Sequence, residues 1–175
     1  VSGVERFWGD RAMNEVQEAE QSTVVPAVNG LAPEEGATRL TLLSKDQALA
    51  EWDVLSKMFN IAIPRTLGRV TLDTLKANVE EGKGLVVIAW NPDPMAPVIH
   101  AAFMVEGDGY PSGKKVFSIS LCGGSDISEW GHLYPQFRDM ASELDFDQIQ
   151  ITGRPGWAKF IGAKEVSRTF VEELT

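Results

Sequence analysis

The chain has 175 residues, 43% of them apolar and 23% charged, which suits one domain with a single buried core. Its formal net charge of −9 argues against non-specific binding to nucleic acid or to an anionic membrane, both of which need a basic face. One cysteine (Cys122), two distant histidines and no apolar run near the roughly 18–20 residues of a membrane span exclude an internal disulfide, a zinc site and a spanning helix.

Residues 1–38 read as an N-terminal arm. Val4, Phe7, Trp8, Ala12, Val16 and Ala19 recur at helical spacing among Glu5, Asp10, Glu15, Glu18 and Glu20, which predicts a short amphipathic helix. Pro26, Gly30, Pro33 and Gly36 then punctuate a linker. An isolated helix of this length is marginal in water and gains stability by packing. The Phe7–Trp8 stripe is therefore expected to dock on a protein partner or another copy of the chain, the alternative being a frayed terminus.

The body, residues 39–175, begins with a short strand at Arg39–Leu43. Ser44 followed by Gln47 is a capping box that opens a helix carrying Leu49, Trp52, Leu55, Ser56 and Phe59, ended before Pro64. Thr71 caps a second helix with Leu72, Leu75 and Val79 that stops near Gly82 and Gly84. Leu85–Trp90 is a continuous apolar run, as in a strand buried on both faces. After a proline-rich loop come a strand at Val98–Glu106, a turn at Gly107–Gly113 and a period-two strand at Val116–Cys122. A long helix is expected over Ile127–Leu144, kinked or broken by Pro135. A strand at Gln148–Thr152, a helical turn near Trp157–Ile161 and a last strand at Val166–Glu172 complete the body.

This order of elements resembles the GNAT N-acetyltransferase superfamily. The segments SISLCGGSDISEW (118–130) and IQITGRPGWAKFIGAKEV (149–166) together look like small GNAT-like proteins encoded by tailed bacteriophages, some of them carried in virions. The resemblance implies an α/β fold with a mixed, mostly antiparallel sheet flanked by helices behind the extended arm. It also implies that the turn after the strand at 116–122 would hold the pyrophosphate of acetyl-CoA, in a pattern Arg/Gln-x-x-Gly-x-Gly/Ala.

The residues present depart from that pattern. Gly123, Gly124 and Ser125 could let phosphates approach the backbone, but the basic or amide residue is missing and Asp126 and Glu129 oppose an anion. Those acids fit better as helix caps. Glu106 is the best-placed general base, His100 reads as a hydrogen-bonded strand residue and His132 as a surface one. Family members typically protonate the leaving thiolate with a tyrosine near the last short helix. Tyr110 and Tyr134 lie elsewhere, and Trp157 and Phe160 occupy that region. Cys122 has no nearby base or cation in sequence and reads as a core residue.

Arg154, between Gly153 and Pro155, could clamp a carboxylate or phosphate. Trp157 would wedge the last helix onto the sheet or meet a partner. The sequence reading is thus a non-catalytic GNAT-like phage protein, a structural or binding component of a virion or other assembly. It would dock through its arm (Phe7, Trp8) with Arg154 and Trp157 as further partner contacts, without cofactor or metal. The first 30 residues lack the apolar core of a signal peptide, so the expected location is the cytoplasm of a bacterial host or the particle. The alternative is an N-acyltransferase that uses acetyl-CoA through Gly123, Gly124 and Ser125, with Glu106 as base.

Overall fold

The computed structural model describes residues 5–6, 37–92, 95, 97–153, 156–162, 164 and 166. The expectations for Phe7, Trp8, Arg154 and the last strand's Ser167–Glu172 fall outside them.

Among the described residues, strands β2 (Arg39–Leu43), β3 (Leu85–Asn91), β4 (Val98–Gly109), β5 (Lys115–Gly124) and β6 (Gln148–Ile151) form one sheet in that order. The first three pairings are antiparallel and β5–β6 is parallel. Strand β1 (Glu5–Arg6) pairs with Gly109 and Asp108. Glu5 and Arg6 were expected in a helix. They are drawn into the sheet because β3 stops opposite Val105 and leaves the last residues of β4 with an open edge.

Two cores lie on the two faces of this sheet. Over one face pack α1 (Lys45–Ala50), α2 (Trp52–Ala62) and α3 (Leu72–Glu80), burying Leu55, Phe59, Leu75 and Val79 against Val86, Ile88, Ala102, Met104 and Leu121. The expected capping box forms at Ser44 with Gln47, and the expected cap Thr71 goes further, forming one with Thr74. The first helix is not continuous: the chain breaks at Glu51, then ends in a 3-10 turn, Ile63–Thr66, where Pro64 removes a backbone donor. Gly82, at φ +68°, closes α3 in the left-handed conformation, with Lys83 and Gly84 N–H both reaching the Asn78 carbonyl.

The opposite face carries α4 (Ile127–Trp130), a 3-10 turn (Gly131–Leu133) and α5 (Tyr134–Glu143). Pro135 divides the expected long helix, sitting in the first turn of α5, where its missing N–H costs nothing. This face is aromatic. Phe103 meets Trp130 and Phe137 edge-on at 5.0 and 4.9 Å, and Phe117 meets Phe146 at 5.6 Å. The last described helix, α6 (Gly156–Ile161), joins it through Trp157. No helix among the described residues is long and apolar enough to cross a membrane.

Two boundaries differ from expectation, for one reason. β4 runs on through Gly107–Gly109 and β5 through Gly123–Gly124 because the two strands keep pairing, Gly109 with Lys115 and Ala101 with Gly124. Glycine lowers strand propensity, but here tertiary pairing overrides it.

Candidate functional site

β5 is partnered by β6 along only part of its length. Val116, Phe117, Ser118 and Ile119 pair with Gln148 to Ile151, and the Thr152 N–H still reaches the Ile119 carbonyl at 3.2 Å. Beyond that, β5 continues to Gly124 while β6 has ended. The separation begins at a bulge: Met104 faces Leu121 and Val105 faces Ile119, so Ser120 is the extra residue. Its hydroxyl lies 3.4 Å from the Met104 carbonyl. A bulge twists and re-aims a strand, and the pairing of β5 with β6 ends at the residue before it.

On the aromatic face, a cleft of about 530 Å³ lies between α4, α5 and α6, lined by Ile127, His132, Tyr134, Arg138, Phe160 and neighbours. Arg138 gives it a cation: its Cζ stands 5.5 Å from the Tyr134 ring centre and its Nη2 donates to the Ile161 carbonyl. His132 is exposed beside it, as the sequence suggested. Trp157 is half-buried, its ring 6.0 Å from that of Trp130 and 5.9 Å from Phe160.

The turn expected to hold phosphates is largely used by the fold itself. A Cβ at Gly123 would fall 2.1 Å from the Met58 carbonyl oxygen of α2, and one at Gly124 2.4 Å from the His100 carbonyl oxygen of β4. The missing side chains therefore admit neighbouring backbone. The Ser125 N–H donates to the same His100 carbonyl at 3.0 Å. Asp126, expected as a cap, takes a left-handed conformation, makes no capping hydrogen bond and instead accepts from the Ser125 hydroxyl. α4 is four residues long, too short for a strong dipole.

On the other face, β4, β5 and β6 present a polar strip just before the strands part. Glu106 is half-buried and its Oε1 accepts from Asn78 Nδ2 of α3 at 2.9 Å. Ser118, paired with both Glu106 and Gln150, is 6% exposed. The Tyr110 hydroxyl crosses from the β4–β5 turn to donate to Gln150 Oε1 at 2.6 Å. The sequence reading singled out Glu106 here and set Tyr110 aside. Ser118 and Gln150 carried a readable signal, polar residues inside period-two apolar strands, but nothing local places them opposite one another. Cys122 lies on the other face, half-buried against the aromatic core. Among the described residues no group of three or more His, Cys, Asp or Glu could hold a metal ion.

No protein-family model matches the chain, and no curated protein matches it. Solved structures do. A ribosomal-protein-alanine N-acetyltransferase from Brucella melitensis biovar Abortus 2308 is 12% identical, aligns over 79% of this chain and 100% of its own, and has a TM-score of 0.54. An aminoglycoside acetyltransferase from an uncultured soil metagenomic sample, in complex with sisomicin, is 13% identical over 79% and 97%, with a TM-score of 0.56. The fold is GNAT-like. A third similar structure, an aminoglycoside N-acetyltransferase in complex with CoA, is 13% identical over 82% of this chain and 99% of its own, at a TM-score of 0.54. At these identities the GNAT likeness is one of fold, shared by the sheet order and its flanking helices.

Proposed function

We propose that the chain is an N-acyltransferase that takes its acyl group from acetyl-CoA, the alternative in the sequence reading rather than its first choice. The observation that carries this reading is the parting of β5 and β6 at the Ser120 bulge, with a cation-bearing cleft on one face and a carboxylate-bearing strip on the other. The similarity to acetyltransferases, one of them in complex with CoA, supports it.

The residues present fit the extended and acyl parts of the cofactor better than its diphosphate. The edge of β5 from Ser120 onward has no β6 partner, so it can accept an extended chain by strand-like hydrogen bonds. Arg138 and His132 would face the phosphates from the cleft, in place of the Gly123–Gly124–Ser125 turn. Acetyl-CoA would supply an acetyl group activated as a thioester. Glu106, oriented by Asn78, would take the proton from the incoming amine nitrogen.

A second reading keeps a specific observation behind it. With Gly123 and Gly124 packed on backbone and the Ser125 N–H engaged, the chain could be a silent binding protein of a virion or another assembly, docked through the arm, Arg154 and Trp157. Titration calorimetry with acetyl-CoA separates the two. The transferase reading expects micromolar binding, weakened about tenfold by Arg138→Glu through loss of a charge-assisted contact. Flat heats at millimolar acetyl-CoA, with the protein folded by its thermal transition, would overturn it and leave the silent reading.

A further inference from the structure

The polar strip contains one contact whose direction matters chemically. A carboxamide has one acceptor atom and one donor atom, set apart on either side of its carbon. In Gln150 the acceptor, Oε1, is taken by the Tyr110 hydroxyl at 2.6 Å. Tyr110 follows the last residue of β4 and its N–H and carbonyl close the turn, bonding the Lys114 carbonyl and the Gly113 N–H. The phenol therefore reaches Gln150 from the turn end of the strip. The amide's Nε2 is the donor that this bond leaves over. Gln150 pairs with Ser118, one position before the last pair, Ile119 with Ile151.

We infer that Gln150 donates from Nε2 to the carbonyl oxygen of the acyl group during transfer, and that Tyr110 is a positioning residue that holds the amide in this orientation. The inference rests on the transferase reading above. Several features distinguish the pair from ordinary surface decoration. Gln150 is half-buried and its β5 neighbour Ser118 is buried. On the same face, one strand beyond Ser118, Glu106 stands ready as the base. The strip thus carries a proton acceptor and a hydrogen-bond donor on one face, on the strands either side of β5.

The balance is simple. The amine nitrogen forms a bond to the acyl carbon, the carbon–sulfur bond breaks, and sulfur leaves with the electron pair. The amine proton passes to Glu106, while negative charge gathered on the acyl oxygen is met by the Gln150 N–H. A preorganised donor at such an oxygen is worth on the order of 10²–10³ in kcat. The proton on Glu106 is then released to solvent and the departing thiolate takes one up, so no co-reactant is needed.

The test combines kinetics with two readouts that do not depend on turnover. Gln150→Leu should lower kcat about 100-fold with acetyl-CoA affinity unchanged by calorimetry, whereas Tyr110→Phe should lower it roughly tenfold. Because Tyr110 acts through Gln150, the double variant should be no slower than Gln150→Leu alone. Infrared spectra of bound acetyl-CoA labelled with ¹³C at the acyl carbonyl should show a lowered stretching frequency that Gln150→Leu abolishes. In the protein without cofactor, the Gln150 side-chain amide should give distinct, slowly exchanging NMR signals that collapse in Tyr110→Phe. A kcat within twofold of the parent for Gln150→Leu, an unchanged carbonyl frequency, or additive losses in the double variant would overturn the inference while leaving the transferase intact. If the parent protein gives flat acetyl-CoA heats, the transferase reading falls and this assignment falls with it, even where the NMR signals show the Tyr110–Gln150 contact.

Discussion

The two faces of the sheet are built on different principles. The face under α4 and α5 is an aromatic cluster in which Phe103, Phe117, Trp130 and Phe137 meet edge-on, and among the described residues its buried members are all hydrophobic. The face under α1, α2 and α3 is chiefly aliphatic in its upper part, admits the backbone of α2 against Gly123, and gives way to Glu106, Ser118, Gln150 and Tyr110 below. Large rigid rings bury much area and tolerate little movement. The comparison teaches that the packed rings and the polar strip occupy opposite sides of the same strands, which alternation makes possible because neighbouring residues point opposite ways.

The sharpest test of that division is Phe137→Ala. Phe137 is almost fully buried and touches the rings of Phe103, Phe117 and Tyr134. Its truncation should cost about 3–5 kcal/mol by chemical denaturation. A loss under about 1 kcal/mol would mean that the aromatic face is not the main source of stability.

Gly123→Ala probes the opposite face. The new methyl would sit 2.1 Å from the Met58 carbonyl oxygen, and backbone atoms cannot move aside as a flexible side chain can. A destabilisation of about 1–3 kcal/mol is expected. If the variant is as stable as the parent, α2 does not press on β5 as closely as the structure shows.

Asn78→Ala removes the donor that holds Glu106. It should cost about 1 kcal/mol and, under the proposed transferase function, slow acetyl transfer several-fold, with thermal unfolding and initial rates measured on the same preparation. Transfer at the parental rate would remove Asn78 from the site.

The smallest effect concerns Lys83 and Glu81. The hydrogen bond from Lys83, together with its charge, holds the Glu81 carboxyl below the ordinary glutamate range. A depressed carboxylate contributes stability above its unfolded value and loses it as pH falls through the folded one. Lys83→Ala should return the Glu81 titration, followed by NMR, toward the ordinary range. Both groups are on the surface, so the unfolding midpoint should scarcely change.

Much of the fold could be read directly. Ser44 and Thr71 cap the helices expected of them, Leu85–Trp90 is a strand buried on both faces, and Pro135 breaks the helix that its ring cannot join. These are local signals, carried by residues within one turn or one strand. Among the misread positions were four glycines. Gly107, Gly109, Gly123 and Gly124 suggested turns, yet all four lie in strands because β4 and β5 keep their register through them, with α2 backbone close over Gly123 and β4 backbone close at Gly124. The site was legible only in Glu106. Its partners Asn78, Ser118, Gln150 and Tyr110 come from α3, β5, β6 and the β4–β5 turn, as many as 72 positions apart along the chain from Asn78 to Gln150.

What the sequence determined by itself was the set of elements, their caps and breaks, and the alternation that gives each strand two faces. These follow from backbone sterics and side-chain spacing, which act over a few residues. Only the tertiary structure decided which polar residues meet, where β5 parts from β6, and what the glycines make room for. Those outcomes depend on strand register and on one bulge at Ser120, and a shift of one residue in either would send each polar side chain to the opposite face.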